Sequence, residues 1–134
     1  MNVVLDTNVV ASAIFFGGKP KKVIEMLMAG QIEAFASKEI LEEYSDTVEY
    51  LYDKYPGRKP KTPFGQIAAK CKVVKTHSLI DICRDPDDNK FIECAMDASC
   101  YYVVSGDKDL LTIKEYEGIH IVTVSEFLDI MENL

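Results

Sequence analysis

A chain of 134 residues, 48% hydrophobic and 28% charged, can build one domain with a proper core and is too short for two. That balance excludes a disordered chain, and no apolar stretch approaches the roughly 20 residues needed to span a bilayer. The net charge of −7 speaks against a simple nucleic-acid binder, which presents a basic face. A nucleic-acid role therefore requires acids gathered where a metal neutralises them, or a local basic patch.

The first element is Val3-Val4-Leu5, a continuous apolar run ending at Asp6-Thr7-Asn8, as suits a central parallel strand covered on both faces. The N-terminus lacks the basic-then-apolar layout of a signal peptide, which predicts a cytoplasmic protein. Val9 to Phe16 continues as an apolar helix broken by Gly17-Gly18, and Pro20 opens a second helix through Met28, closed by Gly30. Ile32 to Ala36 reads as a strand. Ser37 is a suitable N-cap for a helix carrying Ile40, Leu41, Tyr44, Val48 and Leu51 at helical spacing.

Tyr55 to Pro63 holds three prolines and a glycine, which rule out regular structure. Its cations Arg58, Lys59 and Lys61 form the chain's basic cluster. A short helix, Phe64 to Cys71, and a strand, Lys72 to Lys75, follow. Asp85-Pro86-Asp87-Asp88 is loop and cap chemistry before a helix bearing Phe91, Ile92, Cys94, Ala95 and Ala98. Tyr101 to Val104 is the clearest strand and ends at Ser105-Gly106-Asp107, from which a short helix runs to Ile113. A strand from Ile119 to Thr123 and a C-terminal helix capped at Ser125, with Glu126, Asp129 and Glu132 on its wet face, complete the chain. Strand and helix alternate throughout, which predicts a single-domain, three-layer α/β/α sandwich around a mainly parallel sheet. The four cysteines, Cys71, Cys83, Cys94 and Cys100, match no zinc or redox spacing and read as reduced, structural residues.

In open parallel sheets, sites lie outside the carboxyl ends of the strands. Asp6 and Asp107 stand at two such ends, and Asp88 starts the helix before the second of these strands. Glu43 lies one turn into the third helix. Taken singly, Asp88 reads as an N-cap and Glu43 as a solvated helix acid. Asp6 does not, because a carboxylate directly after a buried strand is costly unless paired, and no Lys or Arg lies within ten residues of it. Four carboxylates on one rim would repel, and a divalent cation relieves that; carboxylate-only sites favour Mg²⁺ or Mn²⁺ over Zn²⁺.

These residues carry a resemblance. The stretches Val4-Leu5-Asp6-Thr7-Asn8, Glu39 to Tyr44, Asp85 to Phe91 and Val104 to Leu111, in this order, resemble the PIN-domain family, and within it the toxin components of prokaryotic toxin–antitoxin pairs. The resemblance implies a metal-dependent endoribonuclease that hydrolyses RNA with Asp6, Glu43, Asp88 and Asp107 holding one or two Mg²⁺ or Mn²⁺ ions. Thr7, Asn8 and Ser105 match positions that orient the metal or its waters, and Asp85, Asp87 and Asp109 are nearby alternates. It also implies a homodimer restrained by a small antitoxin protein, with no membrane partner.

The basic loop Arg58 to Lys61, with Lys19, Lys21 and Lys22, is the candidate for phosphate contact, against a solvated surface loop. Tyr44, Tyr50, Tyr52 and Tyr55 suit core or dimer packing, with base stacking the alternative. His77 and His120 read as structural or solvated. A receiver domain fits less well because it pairs acids near the first strand, whereas Asp6 stands alone. A haloacid-dehalogenase-type phosphatase wants an aspartate where Asn8 stands. A non-catalytic PIN-like nucleic-acid-binding or scaffold protein is the rival from outside enzymology.

Overall fold

The computed structural model describes residues 1–60 and 62–134, so the expectation for Lys61 lies outside the described residues. Among the described residues, one six-stranded sheet runs in the order β3-β2-β1-β4-β6-β5. Its strands are β1 (Asn2–Leu5), β2 (Glu33–Ala36), β3 (Lys72–Val73), β4 (Tyr102–Val104), β5 (Glu115–Tyr116) and β6 (Ile119–Val122). All neighbours pair parallel except β5 and β6, which form an antiparallel hairpin. Val3, Val4 and Leu5 are each at most 1% exposed. Successive strand side chains point to opposite faces, so both faces of β1 are covered, as the continuous apolar run predicts.

The helices are α1 (Thr7–Phe15), α2 (Gly18–Met28), α3 (Lys38–Lys54), α4 (Phe64–Lys70), α5 (Asn89–Asp97), α6 (Lys108–Leu111) and α7 (Val124–Glu132). None of them is long and apolar enough to cross a membrane. α2 closes as the glycine predicts: Gly30 adopts φ +77°, the Gln31 amide donates to the Met26 carbonyl at 2.9 Å, and the Gly30 amide donates to Leu27 at 3.1 Å. Together these satisfy two carbonyls at the helix end. Ser37 caps α3, its hydroxyl accepting from the Ile40 amide at 3.3 Å. The four thiols are free, and burial pushes Cys71 and Cys83 up to about 11 and Cys94 and Cys100 up to about 12. Thiols that resist ionisation are inert, in keeping with a structural role.

Several boundaries differ from expectation. α1 begins at Thr7 rather than Val9, because Asp6 keeps extended backbone (φ −64°, ψ 148°) and the helix follows with no intervening loop. α2 begins at Gly18 rather than Pro20. The strand expected over Lys72 to Lys75 is only Lys72–Val73, an exposed edge with little to bury. β5, which has no counterpart among the predicted elements, owes its existence to pairing with β6. The cap of α7 is Thr123, not Ser125: the Thr123 hydroxyl accepts from the Glu126 amide at 3.1 Å, and Glu126 accepts from the Thr123 amide at 3.0 Å. Thr-x-x-Glu is the capping-box spacing, and it outcompetes Ser125, which has Leu128 at the equivalent place.

Between β3 and α5 the chain forms an extended strap that hangs on a helix instead of joining the sheet. Asn89, Glu93 and Asp97 are spaced four apart, on one face of α5. Asn89 accepts from the Ile82 and Cys83 amides at 3.2 and 2.9 Å, Glu93 from Ile80 at 3.0 Å, and Asp97 from His77 and Ser78 at 2.7 and 3.0 Å. A ladder of side-chain acceptors thus satisfies backbone donors that would otherwise need a strand partner. The strap ends at the Pro86–Asp88 turn and delivers that turn to the rim of the sheet.

Candidate active site

The chain leaves β1 toward β2 and β3 on one side, then returns to place β4 on the other side of β1. The crevice at such a switch point, outside the carboxyl ends of the strands, is where open α/β sheets bind ligands. Asp6 stands at the end of β1 and Ser105 at the end of β4, joined by the Asp6 amide donating to the Val104 carbonyl at 2.9 Å. Asp6 is 5% exposed and makes no side-chain cap to α1. The fully buried Ser105 hydroxyl instead donates to Asp6 Oδ2 at 2.6 Å and accepts from the Asp107 amide at 2.9 Å. One hydroxyl therefore holds the Asp6 carboxylate and the Asp107 backbone together. Burial raises the Asp6 pKa, the Ser105 and Thr7 hydrogen bonds oppose the rise, and the charges of Asp107 and Glu43 add to it.

Asp88 is held well above the ordinary carboxylate range. Its pKa is raised to about 7, first by burial, then by the charge and hydrogen-bonding proximity of Asp107, with Asp6 and Asp85 adding to the effect. The cap reading of Asp88 does not apply. Asp85 caps the turn, accepting from the Asp87 amide at 3.0 Å, whereas Asp88 makes no side-chain cap to α5. Asp107 Oδ1 also caps α6 through the Asp109 amide at 2.9 Å. Asp109 itself turns toward Arg84 at 3.8 Å, an exposed pair.

Glu43 reaches the rim because the buried Tyr44 hydroxyl donates to the Leu5 carbonyl, pinning α3 beneath the end of β1. The Thr7 hydroxyl donates to Glu43 Oε2, and Lys90 Nζ donates to Oε1 at 2.7 Å. Lys90 also meets Asp87 Oδ2 at 2.9 Å. Burial alone would lower the Lys90 pKa, but Glu43 and Asp87 outweigh it and hold it raised. Asp87 is lowered chiefly by the Lys90 hydrogen bond. Lys90 lies within the Asp85 to Phe91 stretch but was not among the candidate site residues. Its signal was present: Lys90 stands four residues before the buried Cys94, on the apolar face of an amphipathic helix, where a cation needs a partner.

Asn8 is exposed and lines a cavity of about 330 Å³ beside the acids, with Ser12, Lys19, Gly106 and Ser125. Arg58, Lys59 and Lys21 converge on a second cleft of about 400 Å³ around Gly17-Gly18, where α1 ends. Arg58 is partly committed there. Its guanidinium donates to the Phe15 carbonyl at 2.7 Å and lies 4.9 Å from the Phe16 ring centre. Tyr52 and Tyr55 pack edge-on against Phe15 and Phe16, Tyr44 is buried and Tyr50 is exposed.

The donor chemistry suits a hard cation: all the acidic groups at the rim are carboxylates, and Asp88 and Asp107 crowd each other. Among the described residues, no group of three or more His, Cys, Asp and Glu side chains stands ready to enclose a metal ion. A closed cage is not what Mg²⁺ requires, because it keeps several waters and binds through one or two carboxylates plus substrate phosphate. The Asp88–Asp107 pair, with Asp6 behind it, fits that mode.

A family model described as the PIN domain matches residues 2–109. The chain is also 29% identical, over 147 aligned positions, to an uncharacterized protein of Methanocaldococcus jannaschii, covering 98% of this chain and 92% of that one.

Proposed function

From the premise that the chain belongs to the PIN-domain family, whose members are commonly nucleases using divalent metals, we propose that it is a metal-dependent endoribonuclease. The observation that carries this reading is the placement of Asp6 and Asp107 outside the carboxyl ends of β1 and β4, joined through Ser105 and with Asp88 beside Asp107, and with no cation within salt-bridge distance of the three among the described residues. Asp6, Asp88 and Asp107 would hold Mg²⁺ or Mn²⁺, with Glu43 the fourth acid of the site. Bound there, the ion would supply a nucleophilic water at neutral pH and offset charge on the scissile phosphate.

The chain's own residues do the positioning. Ser105 orients the Asp6 carboxylate and anchors the Asp107 backbone through its two hydrogen bonds, and the Asp109 amide orients the Asp107 carboxylate. Thr7 and Lys90 hold Glu43 from both of its oxygens. Burial and the nearby Asp107 charge raise the Asp88 carboxyl to about 7, so a bound cation would offset the charge that disfavours its ionised form. The cavity lined by Asn8, Ser12 and Lys19 offers polar contacts to a nucleotide flanking the cut. Lys21 and Lys59 lie at the far end of α1, roughly 14 Å from Asp6 at 1.5 Å per residue. Local cations along this track reconcile RNA binding with the acidic whole.

Toxin action, homodimerisation and restraint by a small antitoxin are the finer parts of the same proposal. They rest on the resemblance of the four acidic stretches to toxin members of the family.

The purified protein should cleave single-stranded RNA with Mg²⁺ or Mn²⁺, stop with EDTA, and lose activity on Asp6→Asn. Cleavage that persists in EDTA would remove the metal mechanism. RNA binding without cleavage under every metal condition would favour the non-catalytic alternative.

A further inference from the structure

The acidic rim divides into two unlike halves. On one side, Glu43 and Asp87 share the Lys90 ammonium at 2.7 and 2.9 Å, and the other oxygen of Glu43 takes the Thr7 hydroxyl. The Lys90 side chain is 10% exposed, so this cation is held inside the site and not on a loose surface arm. On the other side, Asp6, Asp88 and Asp107 have no cation within salt-bridge distance among the described residues.

A buried ammonium and a divalent ion cannot share one carboxylate side by side without strong repulsion. We propose that Lys90 is the built-in cation of the Glu43 half, a positioning residue that neutralises Glu43 in place of a metal ion, so that the site takes a single divalent ion at the Asp88–Asp107 pair beside Asp6. This inference rests on the metal-dependent reading given above and specifies its stoichiometry. Lys90 keeps Glu43 oriented and neutralised, and it leaves the other three acids as the charge that a cation must meet.

The test counts Mn²⁺ bound by the full-length protein by equilibrium dialysis and calorimetry, with no RNA present. The parent should bind one equivalent. Lys90→Met keeps the aliphatic stem and removes the charge; it should bind a second equivalent, or hold the first about tenfold more tightly, because the rim gains one net negative charge. Lys90→Met combined with Glu43→Gln removes both members of the pair and should return to one equivalent at the parental affinity. A merely structural lysine would not show this reversal.

The double variant also decides the matter if Lys90→Met alone fails to fold, because it leaves no buried charge unpaired. Loss of Mn²⁺ binding in the double variant would make Glu43 itself a ligand and overturn the proposal. A Lys90→Met protein that binds like the parent would also overturn it. Two equivalents in the parent would sink the role of Lys90 and leave the metal reading standing, whereas no binding in the parent would sink both.

Discussion

At the scale of single residues, Ser105 and Asp88 carry the strongest expectations. The Ser105 hydroxyl is fully buried and is bonded to both strand ends. Ser105→Ala leaves a carboxylate oxygen of Asp6 and the Asp107 amide unpaired, which should cost about 1–3 kcal/mol. Denaturant titration reads this directly, and an unchanged midpoint would show that the hydroxyl does not link the acids. Asp88 sets a pH dependence. Its pKa is about 7 in the folded chain against an ordinary 3.8, so the folded state keeps a proton that the unfolded state has lost. The stability from this group is therefore full below about pH 4 and is lost as pH rises through 7. In EDTA, Asp88→Asn should flatten that slope and stabilise the protein at pH 8 by on the order of 1–2 kcal/mol, after discounting for partial exposure. Thermal melts of parent and variant at pH 5 and pH 8 give the comparison; equal slopes would remove Asp88 from the crowded pair.

At the scale of elements, the caps decide where helices begin and end. Thr123→Ala removes the reciprocal cap of α7 and should cost about 1 kcal/mol, whereas Ser125→Ala should be nearly neutral. The Ser125 hydroxyl only accepts an exposed bond from Lys19 at 3.0 Å. The reverse ranking in chemical denaturation would reinstate Ser125 as the cap. Gly30→Ala should cost about 1–2 kcal/mol because a Cβ disfavours the left-handed backbone at φ +77°. The strap shows a different element-level device. Its alternate amides meet acceptors spaced by one helical turn on α5, so an extended segment is satisfied without entering the sheet.

At the scale of the molecule, strand order creates the crevice and the distribution of charge around it. Acids gather at the start of α1 and α5, while Lys19, Lys21 and Lys59 line the two cavities flanking α1 and the start of α2. If an RNA backbone follows those cavities, changing these three lysines to Gln should lower the log–log salt slope of binding by about 0.7 per lost contact. Arg58 is better left in place, because its bond to Phe15 and its packing on Phe16 would confound a loss of binding with a loss of structure. A salt slope that stays at the parental value would return these lysines to solvated surface.

Much of the fold is legible along the chain because burial and capping are local and periodic. The apolar run Val3 to Leu5 requires cover on both faces, Ser37 and Gly30 mark helix ends, and the alternation of strand and helix specifies a parallel sheet. The same patterns locate Asp6 and Asp107 at strand ends, and for Asp6, directly after a buried strand and with no side-chain cap to α1, a charge has little structural reason to be there. What the tertiary structure alone decides are the pairings between distant positions. Lys90 meets Glu43 across 47 residues, and Ser105 meets Asp6 across 99. No local period encodes such contacts; they follow from strand order, from the seating of α3 by Tyr44 and from the hanging of the strap on α5. The sequence by itself therefore determined which residues are acidic and where in each element they stand. Only the fold decided which acids would be left to repel one another and which would find a lysine, because Coulomb interactions depend on three-dimensional proximity and not on sequence separation.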